Sequence, residues 1–241
     1  MDWYVTSLLL CHAGGRENQD VRRCHYLIAA TNHDEAYGRS LEIGESLEAG
    51  SLAMPGPETG PWLFKGLYDL LMVHDPPTDG AELVWSELEV APRELENIVR
   101  PKEMLRAFRE APSTIRPSGW YIVSLVIYEV HDRGSHGDTY LVWINTYLIR
   151  ANEAEPAYQR ALQLGQMQQT APGSHRCDGD NAHWEFKGID DIVQACDPPR
   201  DQALLWIDQL MVTTAELERM AADKANLGVF KWEALQRIRK L

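Results

Sequence analysis

Strand-forming and helix-forming patterns follow one another in a regular order through the first half of the chain. Runs rich in valine, leucine, isoleucine and aromatic residues predict buried or half-buried strands. Between them, one segment repeats apolar residues at the spacing of a helical face, at Ala36, Ser40, Ile43 and Leu47. The predicted elements are strands over 3–10 and 22–31, a helix through these four residues, strands over 62–73 and 82–90, and a closing helix over 92–108.

The second half of the chain repeats this pattern in the same order and with little drift in spacing. The clearest matches are Trp3-Tyr4-Val5 with Trp120-Tyr121-Ile122, Trp62-Leu63-Phe64-Lys65-Gly66 with Trp184-Glu185-Phe186-Lys187-Gly188, and Asp75-Pro76-Pro77 with Asp197-Pro198-Pro199. Several ordered matches of this kind indicate an internal duplication.

The duplication predicts an α+β protein of two tandem β-β-α-β-β-α units. Each unit is expected to form an antiparallel sheet with its helices on one side, and the two units to form a pseudo-two-fold pair. A stretch rich in proline and serine separates them, so the expected boundaries are a first unit over 1–110, a linker over 111–118 and a second unit over 119–241.

Four motifs of the first half also occur in a bacterial family of small proteins known only as a domain of unknown function, numbered 4288. The motifs are Trp3-Tyr4, Glu35-Ala36 followed by Gly44, the set Trp62, Phe64 and Gly66, and the set Gly80, Glu82 and Leu83. The chain resembles a tandem duplication of this domain. The second half departs at the last motif, where Gln202 and Leu204 replace Gly80 and Glu82. The resemblance implies no activity.

Composition and charge narrow the function. Hydrophobic residues make up 44% of the chain and charged residues 24%, which is typical of a globular protein. No apolar run is long enough to span a membrane. The net charge of -13 disfavours a nucleic-acid partner, because phosphate contacts need a basic face. Four well-separated cysteines, without a signal-peptide pattern, favour the reducing cytoplasm.

One loop of the second half carries the residue types of a divalent metal site. His131, Asp132, His136 and Asp138 lie within eight residues, where the second copy is longer than the first. The alternative is an ordinary polar hairpin tip, because histidine, aspartate and glycine are common in such loops.

Two other clusters have chemical and structural interpretations. Cys11-His12 and Cys24-His25 supply zinc-ligand types on one predicted hairpin, but adjacent strand residues point to opposite faces, which favours core positions. Cys177 lies near His175 and His183, a combination that suggests nucleophilic catalysis. The glycine-rich loop around Cys177 has no nucleophile-elbow motif and favours an ordinary loop.

The sequence contains none of the common phosphate-binding or hydrolase motifs. We therefore expect a protein-interaction module without cofactor, such as an immunity-type inhibitor or a regulator, that binds a cationic protein partner. The expected contact residues lie in the more acidic first half; they are Glu42, Glu45, Glu48, Glu87 and Glu89. A metal-dependent or thiol enzyme using loops of the second half, and a small-ligand protein with a pocket between the units, are alternatives. The oligomeric state stays open.

Overall fold

A computed structural model describes residues 1–12, 18–50, 61–109, 118–131, 139–177 and 180–231. The elements of this part of the chain include nine strands, five α-helices and two short 3-10 helices. The elements of the first half are β1 (Asp2–His12), β2 (Asn18–Ala30), α1 (His33–Glu48), β3 (Trp62–Val73), β4 (Glu82–Val90), α2 (Pro92–Ile98) and α3 (Arg106–Arg109). Those of the second half are β5 (Trp120–His131), β6 (Tyr140–Arg150), α4 (Ala154–Gln168), β7 (His175–Cys177), β8 (Asp180–Gln194), β9 (Ala203–Thr213) and α5 (Thr214–Met220).

The strands form two antiparallel sheets. Sheet A has the order β3-β1-β2-β9, and sheet B has the order β4-β6-β5-β8-β7. The predicted hairpins are present, since β1 pairs with β2 and β5 pairs with β6. The central strands are buried on both faces, which explains why their sequences are almost continuously apolar and do not alternate.

The predicted β-β-α-β-β-α units are wrong, because the last strand of each half joins the sheet of the other half. Strand β4 pairs with β6, and strand β9 pairs with β2. Neither strand pairs with the strand before it. Each sheet therefore contains strands from both halves of the chain.

Helices lie on both faces of each sheet, which also corrects the expected one-sided arrangement. On sheet A, the first residue of α1, His33, contacts the ring of Tyr4, whereas α5 packs on the opposite face around Leu9. On sheet B, α4 packs against the face that carries Val123, and α2 packs through Leu95 against the face that carries Val126. Each sheet is thus covered by helices from both halves of the chain.

The described residues form two compact units, and each unit includes the strand that it receives from the other half of the chain. Unit 1 comprises residues 1–74 and 199–241, and unit 2 comprises residues 75–198. The chain passes between the units at the two repeated Asp-Pro-Pro segments, which begin at Asp75 and Asp197. The expected boundary region, 111–118, lies within unit 2 and, apart from Ser118, outside the described residues.

The same polar contact secures the exchanged strand in each unit. Asp79, just before β4, accepts hydrogen bonds from the Arg150 backbone N–H at 2.8 Å and from Arg160 of α4 at 2.7 Å. In unit 1, Asp201 just before β9 accepts from the Ala29 backbone N–H at 2.9 Å and from Arg39 of α1 at 2.7 Å. In each unit, an aspartate from one half of the chain thus forms a hydrogen bond with an arginine on a helix from the other half.

Candidate functional site

A cluster of metal-ligating side chains lies at one end of sheet B in unit 2. Glu129 and His131 are two residues apart on β5, so both side chains point to the same face of the sheet. This is the face that α4 covers further along the strand, around Val123 and Leu125. Glu129 is buried, whereas the His131 side chain retains 15% of its exposure to solvent.

Strand β7 brings two more ligand types to the same place. His175 and Cys177 are also two residues apart and share a face. In the register of the sheet, Ala182 of β8 lies between His131 and His175. Since Ala182 has only a methyl group, the larger side chains on either side of it have room to approach each other.

The distances within the cluster are short. One carboxylate oxygen of Glu129 accepts a hydrogen bond from His131 Nε2 at 3.2 Å, and the other accepts from His175 Nε2 at 2.7 Å. Ligand atoms of Glu129, His131 and Cys177 all lie within 4.8 Å of one another. Among the residues that the structure describes, this is the one group of three or more such side chains close enough to hold an ion.

The electrostatics of the cluster favour a charged carboxylate. Burial alone would raise the pKa of Glu129, but hydrogen bonds from His175, Cys177 and His131 hold the pKa below its ordinary value. In this cluster, two imidazoles and a thiol donate hydrogen bonds to a buried carboxylate. A metal ion can take the place of such protons and bind the same side chains.

The donor set selects the kind of metal. Imidazole and thiolate suit zinc and related transition metals, whereas magnesium and calcium prefer oxygen ligands alone. Bonds of about 2.0–2.3 Å in a tetrahedral zinc site place ligand atoms about 3.3–3.8 Å apart. Since the ligand atoms of Glu129, His131 and Cys177 lie within 4.8 Å of one another, none of these distances needs to shrink by more than about 1.5 Å.

The cluster joins residues from two separate sequence predictions and omits others. Of the predicted metal ligands, His131 is part of it, whereas Asp132, His136 and Asp138 lie outside the described residues. His175 and Cys177, which the sequence offered as a thiol site or an ordinary loop, face His131. Glu129 was missed, because a single glutamate within an apolar strand carries no spacing signal of its own.

His183, the third residue of the predicted thiol site, lies apart from the cluster. It is an immediate neighbour of Ala182 on β8, so its side chain points to the opposite face of the sheet. There it contacts Glu185 at 3.1 Å, and Glu185 accepts a hydrogen bond from the Tyr128 hydroxyl at 2.7 Å. His183 therefore cannot act together with Cys177.

The paired cysteines and histidines of the first hairpin do not form a metal site. Cys24 and His25 point to opposite faces of β2. Instead, the His25 Nδ1 atom lies 2.8 Å from the Ser7 hydroxyl, and its Nε2 donates to Asp208 at 3.1 Å. This serine–histidine–aspartate array has catalytic residue types, but Ser7 and His25 are only 7% and 6% exposed. Strands pair with β1 on both sides of Ser7, and the array joins strands within the core.

The predicted partner-binding glutamates are exposed but divide between the compact units. Glu42, Glu45 and Glu48 lie on α1 in unit 1, and Glu48 accepts a hydrogen bond from the Phe64 backbone N–H at 3.1 Å. Glu87 and Glu89 lie on β4, in unit 2. The two groups therefore do not belong to one sheet or one helix.

Comparison with known proteins finds one sequence family whose model is similar to part of the chain. Residues 120–206 match the model of a family described as "Domain of unknown function (DUF4288)". The match covers one copy of the repeated pattern and contains all four residues of the cluster. No curated protein matches the chain, and no solved structure matches it either. None of the helices in the described ranges is long and apolar enough to cross a membrane.

Proposed function

We propose that this protein binds a zinc ion in unit 2 through Glu129, His131 and Cys177. The convergence of three different ligand types from β5 and β7 within 4.8 Å carries the proposal. His175 would support the site without binding the metal, because its hydrogen bond to the second oxygen of Glu129 orients the carboxylate.

Three protein ligands give the site its chemical character. Structural zinc sites are closed by four protein ligands, whereas catalytic sites use three and leave a position for water or substrate. Of the residues that the structure describes, Glu129, His131 and Cys177 supply three ligands, which would leave a fourth position for water or substrate. The partial exposure of His131 and Cys177 supports access from solvent. This arrangement favours a metal-dependent enzyme over a purely structural zinc.

Zinc content and cobalt spectra of the untagged protein test the proposal. We expect about one zinc per chain, and Co²⁺ should give a thiolate-to-metal absorption band that disappears in Cys177→Ser. Cys196→Ser is the matched control, because Cys196 is another partly exposed cysteine of unit 2. His175→Ala should weaken zinc binding by about 10–100-fold, as expected for a residue that orients a ligand. Protein that binds no zinc, or a cobalt band that survives in Cys177→Ser, would refute the site.

We also propose that the two halves arose by tandem duplication of one domain. The equivalent contacts of Asp79 and Asp201 support it, as do two glycine–phenylalanine pairs between helix and sheet, Gly44 with Phe64 and Gly165 with Phe186. A reducing compartment, the proposed location, agrees with four cysteines that form no disulfide.

A further inference from the structure

Strand β4 is an open edge of sheet B. It pairs with β6 on one side, and no strand in the described part of the chain pairs with its other side. Residues 85–89 are all exposed, so side chains on both faces of the strand reach solvent. An edge strand of this kind presents backbone N–H and C=O groups that another extended chain can pair with.

The side chains of β4 give this edge a defined chemistry. Trp85, Glu87 and Glu89 share one face, and Leu88 lies on the other. Trp85 is 48% exposed and Leu88 39% exposed, so each face offers an apolar contact. The indole N–H of Trp143 on the neighbouring strand donates to Glu87 at 3.0 Å, which holds that carboxylate in place.

The negative charges of Glu87 and Glu89 determine which kind of strand can pair with β4 favourably. A second copy would bring glutamates of the same sign close together across the new pair, which is unfavourable. A strand with lysine or arginine at alternate positions would instead meet Glu87 and Glu89 with opposite charges. The net charge of -13 attracts such a segment over longer distances.

We propose that β4 binds an extended cationic segment of a partner protein by strand addition. Backbone hydrogen bonds would supply affinity, and the alternating side chains would supply specificity. Lysine or arginine side chains would face Glu87 and Glu89, and apolar side chains on the opposite face would contact Leu88. This interaction is independent of the zinc site, because it uses none of the metal ligands.

A synthetic peptide tests the charge requirement. The probe is a fluorescein-labelled ten-residue peptide of alternating lysine and valine, and binding to the full chain is followed by fluorescence anisotropy. We expect binding that weakens with salt, and none for a glutamate–valine peptide. Glu87→Lys with Glu89→Lys should weaken binding at least about tenfold. Glu42→Lys with Glu45→Lys makes the same charge change on α1 and should leave the affinity within about twofold.

Selective N-methylation of the peptide tests strand addition itself and needs no protein variant. Methyl groups on the amides of one edge should abolish binding, whereas methyl groups on the opposite edge should be tolerated, because only one edge pairs with β4. Failure of the lysine–valine peptide to bind would overturn the proposal. Equal binding of both methylated peptides, or equal weakening by the α1 and β4 variants, would also overturn it, since either result indicates general charge attraction.

Discussion

Gly44 shows how closely α1 packs on sheet A. A Cβ atom at this position would lie 2.4 Å from two carbon atoms of the Phe64 ring, far inside normal contact distance. Gly165 has the same relation to Phe186, at 2.3 Å. In both units the absence of a side chain on the helix lets the aromatic ring of the sheet fit against it.

Two glycines of α1 should therefore respond in opposite ways to alanine. Gly44→Ala should lower the free energy of unfolding by about 1–2 kcal/mol, because overpacking outweighs the gain in helix propensity. Gly38→Ala should raise it by about 0.5–1 kcal/mol, since no atom lies within 4 Å of the added methyl group. Urea denaturation measures both. A stabilised Gly44→Ala would mean that the Phe64 ring moves aside at little cost.

The residue patterns predicted the packing of side chains better than they predicted the cluster of Glu129, His131, His175 and Cys177. Trp62 is buried as its strand pattern indicated, and Gly66 adopts a positive φ of 126° beside Ala221, which follows α5. The cluster forms because Glu129 and His131 lie close to β7, a short strand whose sequence around Cys177 resembles a loop. Histidine and cysteine near glycine carry no periodic signal, so only the folded sheet shows which of them converge.

At the scale of the elements, Asp208 fastens the exchanged strand β9 to β2. It accepts a hydrogen bond from Arg23 at 2.8 Å and one from His25 at 3.1 Å. Burial acts to raise the pKa of Asp208, but these bonds and the charges of His25 and Arg23 hold the pKa far below its ordinary value. The folded state therefore favours the ionised carboxylate.

Asp208→Ala should consequently destabilise the protein in a pH-dependent way. At pH 7 we expect a loss of about 3 kcal/mol, because the charge of Arg23 is left partly buried without its carboxylate. The stabilisation by Asp208 is complete above its unfolded pKa of about 3.9 and is lost as pH falls, so wild type and variant should converge in acid. Chemical denaturation from about pH 7 down to about pH 2 measures the difference, which should be constant above about pH 5 and shrink below it. Asp2→Asn, an exposed carboxylate, should show no such dependence.

The positions of the long strands followed from the sequence, but the short strand β7 and the pairing of β4 and β9 did not. The Asp75-Pro76-Pro77 turn suggested a hairpin between β3 and β4, since proline and aspartate favour turns. The repeated sequence makes β4 the counterpart of β9 and β6 the counterpart of β2, so the local patterns fit pairing within one half as well as the exchange observed here. Local patterns cannot distinguish these arrangements.

For the whole molecule, the exchange of strands predicts which fragment folds alone. Residues 75–198 contain every strand of sheet B and form a continuous segment. We expect this fragment to be monomeric and to unfold cooperatively, as measured by circular dichroism and thermal denaturation. Residues 1–118 lack β9 and retain β4 without its partner, so they should aggregate or remain partly unfolded. A cooperative 1–118 fragment would show that β4 can return to its own half.

The discontinuity of unit 1 has a consequence for protein synthesis. The ribosome makes the chain from its N-terminus, so residues 1–74 leave it first, yet they must wait for residues 199–241. All of unit 2 is available before that point. During the interval, the edge of β2 that later receives β9 is open to pairing with another chain. The nascent protein therefore completes its second unit before its first, and a chaperone would be needed most while β2 lacks its partner.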